Sequence, residues 1–337
     1  MSNLDATHLE KPQAGYNVPS LPSRAVSVLA RPEAITVALL FAAFMYSAVT
    51  TPAFRDAEYL FSSTSLYMET GLMALAMTLV IISGNIDLSV ASALALTTAI
   101  CATLFTSAGL PAPVVLLLAP FIGIALGLFN GLLVTMLGLP SLTVTLGTLA
   151  LYRGLAQVLL GDHSVGGWPE WFVAVDRRVV GIVPMPLIAL IALACVFAFI
   201  LHKTTFGRAV YAIGTNEAAA RFSGLRVNRV KLMVFALSGL MSGLGAMMML
   251  SRLEYARYDA ASGLELAVIT AVVVGGADIF GGRGTIFGTI VALFLLGILR
   301  TGMDLSRVTP EKQMAVVGTL LILAVVLANL MTRWRGK

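Results

Sequence analysis

Few residues in this chain are of a type that does chemistry, and most of them flank long apolar runs. Glu69 and Arg153 are different, because each falls inside a run. A charged side chain at membrane depth needs a partner, water or a functional reason to be there. Arg153 is therefore the first candidate, with Glu69 a possible counter-charge. In the same run Ser141, Thr145, Thr148 and Tyr152 recur at i, i+4, i+7 and i+11 and share one narrow helical face. Gln157 lies beside Arg153, a quarter-turn or more away. A hydroxyl-lined face serves either hydrogen bonding between helices or a polar pore. Glu69, Thr145, Thr148, Tyr152, Arg153 and Gln157 are accordingly the expected translocation residues.

Two polar, glycine-bearing breaks interrupt the apolar pattern. The first is Ser83-Gly84-Asn85-Ile86-Asp87-Leu88-Ser89. Asp87 there either caps the helix that follows, its carboxylate accepting from free amides, or acts directly in transport. The second break is Gly275-Gly276-Ala277-Asp278 followed by Gly281-Gly282-Arg283-Gly284. Its glycines are too irregular for a dinucleotide fingerprint and follow no soluble strand. A conformational hinge or a tight turn is expected, making Asp87, Gly275, Gly276, Asp278, Gly282 and Arg283 structural candidates.

The segment 202–231 gathers Lys203, Arg208, Arg221, Arg226, Arg229 and Lys231 against a single acid, Glu217. Within it Thr215 to Gly224 reads as one short helix. Thr215 or Asn216 can cap it, Glu217 suits the positive end of its dipole, three alanines favour it and Gly224 stops it. A helix this short is marginal in water unless packed on something. The segment is either a docking element for a partner protein or a basic loop that only fixes topology.

Other chemistry is missing from the sequence. There is no GxxxxGK[ST] stretch for nucleotide phosphates, no paired His or Cys ligands, no serine elbow and no haem signature. Cys101 and Cys195 lie far apart in apolar runs and read as small hydrophobes. An enzyme is not expected.

The elements that must position these residues follow from composition. Of 337 residues 58% are hydrophobic and 12% are charged, whereas soluble domains carry about 25% charged residues. Apolar runs near 20 residues, long enough to cross ~30 Å of hydrocarbon, recur along the chain without the period-2 alternation of barrel strands. An all-α membrane bundle of about ten spans is predicted, near 33–53, 64–84, 88–108, 112–137, 141–160, 183–201, 231–251, 265–280, 285–303 and 314–332. The third and eighth border the polar breaks and are expected to be re-entrant or broken. This gives a tail at 1–32, a membrane domain at 33–332 carrying the 202–231 loop, and a tail at 333–337. The net charge of +5 flanks the spans and reads as topology, not as a nucleic-acid footprint. Lys11, Arg24, Arg31, the 202–231 loop, Arg283, Arg333, Arg335 and Lys337 fall on one side, which predicts both termini in the cytoplasm. Gly161–Gly181 then lies outside, with Trp168 and Trp171 at the membrane interface. Gly123, Gly127 and Gly131, and Gly239 with Gly243, form small-residue ridges for close helix packing.

Taken in order, several stretches resemble the membrane permeases of carbohydrate-type bacterial ABC importers, the family of ribose, xylose, rhamnose and autoinducer-2 permeases. They are Ser83 to Val90, Gly127-Leu128-Phe129-Asn130-Gly131, Leu139-Pro140-Ser141, and Thr145-Leu146-Gly147-Thr148. Further on come Gly207-Arg208, Asn216-Glu217-Ala218-Ala219, Ser223-Gly224, Ser238-Gly239 and Gly275 to Thr285. The resemblance implies a permease that pairs with a second copy or a paralogue in the bacterial inner membrane. It implies separate ABC ATPase subunits that use ATP, so that this chain carries no cofactor. It also implies a periplasmic sugar-binding protein docking near Asp162–Arg178, and a monosaccharide or sugar-like solute moved inward by alternating access. A coupling helix is implied at Asn216–Ser223, making Gly207, Arg208, Asn216, Glu217, Ala218, Ala219, Arg221, Ser223 and Gly224 the coupling candidates. The rival expectation is an ion-coupled secondary transporter. It would place functional acids near the midplane, where only Glu69 qualifies.

Overall fold

The apolar runs form helices because a bilayer offers backbone groups no other partner. The computed structural model describes residues 32–335, with 327–335 as backbone alone. The tail expected at 1–32 lies outside the described residues except for Pro32, as do residues 336 and 337 of the tail expected at 333–337.

The first helices are α1 (Pro32–Thr50), α2 (Ala57–Ser63), α3 (Met68–Ile82), α4 (Val90–Thr106), α5 (Ala112–Met136) and α6 (Ser141–Leu160). After α7 (Glu170–Arg177) come α8 (Met185–Lys203), α9 (Thr205–Thr215), α10 (Glu217–Phe222) and α11 (Val227–Leu253). The chain ends in α12 (Leu264–Val274), α13 (Ile286–Leu305) and α14 (Pro310–Arg335). Among the described residues seven segments are long and apolar enough to span a membrane, from Glu33–Thr50 to Ile286–Leu305. The 26-residue α14 and the shorter apolar helices α4 and α12 complete the expected set. At 1.5 Å per residue the 11-residue α12 covers about half the hydrocarbon thickness. Its interruption matches the expected broken segment.

Helix α3 is the centre of the bundle, since all 15 of its residues are buried. The span that contains it starts earlier than expected, at Ala57, and bends through the 3₁₀ turn Thr64–Tyr67. Ser63 and Thr64 hydroxyls there donate to the carbonyls of Leu60 and Phe61, at 2.9 and 2.6 Å, a local bonding habit that bends helices. Around α3 pack α8, α11, α12 and α13. Helices α5 and α11 touch backbone to backbone: a methyl on Gly123 would stand 2.2 Å from the Gly239 carbonyl oxygen, and one on Gly127 2.2 Å from that of Phe235. The small-residue ridges are thus the seam between these two helices.

At the end of the bundle remote from α9 and α10, β1 (Val165–Gly166) pairs antiparallel with β4 (Tyr255–Ala256) and β2 (Val179–Val180) with β3 (Val183–Pro184). Trp171 is exposed, but Trp168 departs from the interfacial role expected of it. It is buried and stacked on Phe105 at 4.7 Å, plugging the space between α4 and α7.

Candidate coupling and translocation sites

The basic segment folds as two helices, not the single short one expected. Chain reversal after α8 brings Gly207 so close to Leu201 that a Cβ would sit 2.0 Å from its carbonyl oxygen. Thr204 caps α9 by accepting from the Gly207 amide at 3.2 Å, and Arg208 is exposed on its surface. Asn216, rather than Thr215, caps α10: its Oδ1 accepts from the Ala219 amide at 2.9 Å. Ala218 and Ala219 are exposed, while Ala220 is buried among Ile213 and Val227. Glu217 accepts from Arg221 at 3.0 Å and from Lys231 of α11 at 2.6 Å. Burial pushes the Glu217 carboxyl up, but Lys231 and Arg221 together outweigh it and hold it below the usual carboxylate range. Ser223 closes the helix by bonding the Ala220 carbonyl at 2.8 Å, and Gly224 follows at φ +84°. A six-residue helix that would melt alone is thus clamped at both ends, with Phe222 presented 92% exposed.

The two polar breaks and α9 converge. A methyl on Gly214 would lie 1.7 Å from the Ile82 carbonyl oxygen and 2.5 Å from the Gly282 nitrogen. One on Gly281 would lie 2.9 Å from Gly84. The Gly282 amide donates to the Ile82 carbonyl at 2.8 Å, and the Tyr211 hydroxyl donates to the Gly284 carbonyl at 2.7 Å. Gly275–Gly284 is a tight turn: Gly276 and Gly282 have φ +93° and +77°. The Asp278 amide donates to the Arg283 carbonyl at 3.0 Å, and the Asp278 carboxylate accepts from the Phe280 amide at 3.0 Å. Gly275 meets Gly288 of α13 backbone to backbone.

Asp87 sits deep in the first break, 2% exposed and with no cation beside it among the described residues. Its Oδ1 accepts from the Ser89 amide and hydroxyl at 3.0 and 2.6 Å, and its Oδ2 from the Ser238 hydroxyl of α11 at 2.8 Å. Asn130 of α5 donates to Ser89 at 2.7 Å, and the Tyr152 hydroxyl lies 3.3 Å from Asn130 Oδ1 while donating to the Leu126 carbonyl at 2.9 Å. The carboxylate thus pins α4, α5, α6 and α11 to one another.

That network decides which way α6 faces. Thr145, Thr148 and Tyr152 are buried to 3% exposure or less, and Thr145 donates to the Ile86 carbonyl at 3.2 Å. Between the two uses the sequence left open for this face, the geometry is a helix–helix seam. The other side of α6 carries Thr143, Gly147, Ala150, Gly154 and Gln157 at near-helical spacing, all exposed. A Cβ on Gly147 or Gly154 would meet nothing within 4 Å. The expected Glu69–Arg153 pair is not formed. Glu69 is 2% exposed and bonds Arg252 of α11 at 2.8 Å, whereas Arg153 donates to the Tyr258 carbonyl at 2.7 Å. Arg252 lies in the last turn of α11, and only the crossing of α3 and α11 brings it to Glu69.

Among the described residues no three His, Cys, Asp or Glu side chains converge as a metal centre would. A multi-pass α-helical bundle with internal polar seams and a docked two-helix appendage has the form of a transport permease. The model of the family described as branched-chain amino acid transport system / permease component matches residues 59–325. The chain belongs to this family of ABC importer permeases and is a multi-pass inner-membrane protein. It is 36% identical over 299 residues to the Autoinducer 2 import system permease protein LsrD of Klebsiella pneumoniae subsp. pneumoniae, covering 87% of this chain and 90% of that one. The same protein of Enterobacter sp. (strain 638) is 35% identical, with 86% and 90% covered, and that of Escherichia coli O9:H4 (strain HS) 36%, with 87% and 91% covered. No solved structure matches the chain.

Proposed function

We propose that this chain is the path-forming half of an ATP-driven importer, taking a monosaccharide or sugar-like solute into the cytoplasm by alternating access. The observation that carries the reading is the α9–α10 element. It is rigidly seated on the Gly84–Gly214–Gly282 junction, clamped to α11 through Lys231, and tipped by the exposed Phe222. A partner that pushes α10 therefore displaces α3, α11 and the turn before α13 together. We assign that partner as a cytoplasmic ABC ATPase that binds the ATP, with both termini of this chain on the same side. Gly207, Arg208, Asn216, Glu217, Ala218, Ala219, Arg221, Ser223 and Gly224 build the contact, and Phe222 joins them.

The solute path runs along the exposed side of α6, past Thr143, Gly147, Gly154, Gln157 and the Arg153 guanidinium. Polar groups facing lipid would be costly, so a second permease copy or a paralogue covers this face. Glu69, Thr145, Thr148 and Tyr152 hold the walls rather than touch the solute. An external sugar-binding protein docks on the opposite end near Asp162–Arg178. The relatives are named for autoinducer 2 import, which makes a small sugar-like signal the leading substrate class.

The test is mild-detergent purification of the tagged chain, with mass spectrometry of what accompanies it. Wild type is expected to bring down a P-loop ATPase, and Phe222→Asp, at an exposed position, to lose it while remaining folded. An ATPase retained by Phe222→Asp would remove the coupling assignment. A folded chain that purifies alone and takes up solute on an ion gradient would mean a secondary transporter.

A further inference from the structure

Away from α6, the helices α3, α12, α13 and α14 enclose a half-open cavity of about 170 Å³ in the half of the bundle remote from α10. Its walls are mainly aliphatic, including Leu264, Leu296 and Met314. Three polar groups on its lining have unmet demands. Tyr67 and Thr70, one turn apart, are 6% and 5% exposed. Neither hydroxyl has a hydrogen-bond partner among the described residues. Both residues line the cavity, where their hydroxyls are free to donate to a ligand or water. The Tyr67 ring lies against Gly297 of α13, where any methyl would stand 2.5 Å from it, which fixes the ring in place.

One turn further along α13, Arg300 reaches the rim of the same cavity. Its natural i+4 partner is Asp304, but Asp304 accepts from Gln313 of α14 at 2.6 Å. Among the described residues Arg300 makes no ion pair and no hydrogen bond. An exposed cation thus borders a mainly apolar cavity that two hydroxyls also line.

We propose that this cavity is a binding site for an anionic phospholipid. The phosphate lies on Arg300, an ester carbonyl accepts from Tyr67 and Thr70, and the acyl chain fills the aliphatic slot. The lining joins a cation and two hydroxyls to a mainly aliphatic wall, which matches the phosphate, ester and acyl chain of one phospholipid. The site is separate from the proposed solute path, since α6 contributes nothing to it.

The full-length chain, purified in mild detergent and loaded with mixed phosphatidylglycerol and phosphatidylcholine, would be read by native mass spectrometry. Phosphatidylglycerol is expected to be retained about tenfold over phosphatidylcholine, whose phosphate is the same but whose choline cation repels the Arg300 guanidinium; tenfold corresponds to about 1.4 kcal/mol. Arg300→Gln should abolish the preference and Arg300→Lys keep most of it. Ala267→Phe, which fills the slot without touching the cation, should reduce retention of both lipids. Unchanged retention in Arg300→Gln or in Ala267→Phe would overturn the proposal. So would complete displacement of the lipid by millimolar inorganic phosphate, which would mark a soluble-anion site. If Arg300→Gln fails to fold, Arg300→Lys and Ala267→Phe still decide the matter.

Discussion

The junction beneath α9 can be tested by adding a single methyl group. In Gly214→Ala the new carbon would fall 1.7 Å from the Ile82 carbonyl oxygen, about 1.7 Å short of the 3.4 Å at which ordinary contact begins. The obstacle is backbone on both sides, Ile82 and Gly282, so no side chain can swing away. The Gly282–Ile82 hydrogen bond at 2.8 Å spans the same gap and would be pulled apart. Losing that bond costs about 1 kcal/mol and overpacking about 1–3 kcal/mol, against a gain of up to about 1 kcal/mol from better helix propensity. The net expectation is a loss of about 1–3 kcal/mol, or roughly 3 °C in melting temperature for a chain of this length. It would be measured by heating the detergent-solubilised protein and following the folded peak by size exclusion. Uptake into vesicles should fall as well, because the junction joins α10 to α3. Gly318→Ala is the control: with nothing within 4 Å of the added carbon and a place away from the proposed solute path, it should melt at or slightly above the wild-type temperature. If Gly214→Ala melts with this control, the backbone contact is not what seats α9.

Breaking the Glu69–Arg252 pair with Arg252→Met leaves a buried carboxylate uncompensated and should cost about 3–5 kcal/mol. The double variant Glu69→Met/Arg252→Met should recover most of that, as a double-mutant melting cycle would show. Asp87→Leu orphans the Ser89 amide and two serine hydroxyls, for a loss of about 1–3 kcal/mol per group left unpaired. Asp87→Asn keeps acceptors for Ser89 and should be far milder, so thermal melts of the two variants should separate. Because Lys231 and Arg221 hold the Glu217 carboxyl below its unfolded value, its stabilisation is complete above the unfolded carboxylate range near ~4.3. It is lost as pH falls through the lower, folded value. The group is partly exposed, so the effect is about 1 kcal/mol or less. Hydrogen exchange of the 217–222 amides should quicken on acidification in wild type and be pH-insensitive, beyond the intrinsic trend, in Glu217→Gln.

The helices were legible because bilayer length and helical rise leave little freedom. The interruptions at Gly84 and Gly275 showed as polar glycine breaks in apolar runs, and Thr215 or Asn216 as a cap before alanines. The orientation of α6 was not legible. Periodicity gathers Thr145, Thr148 and Tyr152 on one face and Gly147, Gly154 and Gln157 on another, but both faces are polar enough to line a path. Which one turns inward is set by Asp87, Ser89 and Asn130, on other helices. Helix α9 went unread for a related reason. Gly207 and Gly214 lower its helix propensity, and what demands them is the backbone pressed against each, at Leu201 and at Ile82 with Gly282. Glu69 illustrates the third limit, since its partner Arg252 is 183 positions away and no local pattern couples them.

The interlocking glycines of α5 and α11 also set a timing problem for biosynthesis. Helix α5 is complete at Met136, and α11 begins only at Val227. At roughly 5–20 residues per second of translation, the groove of Gly123 and Gly127 waits several seconds or more for Gly239 and Gly243 to emerge. During that interval a smooth, narrow helix face is open to any passing helix with small residues at the same four-residue spacing, including one from a neighbouring nascent chain. Correct pairing is favoured if α5 stays shielded until its own partner arrives.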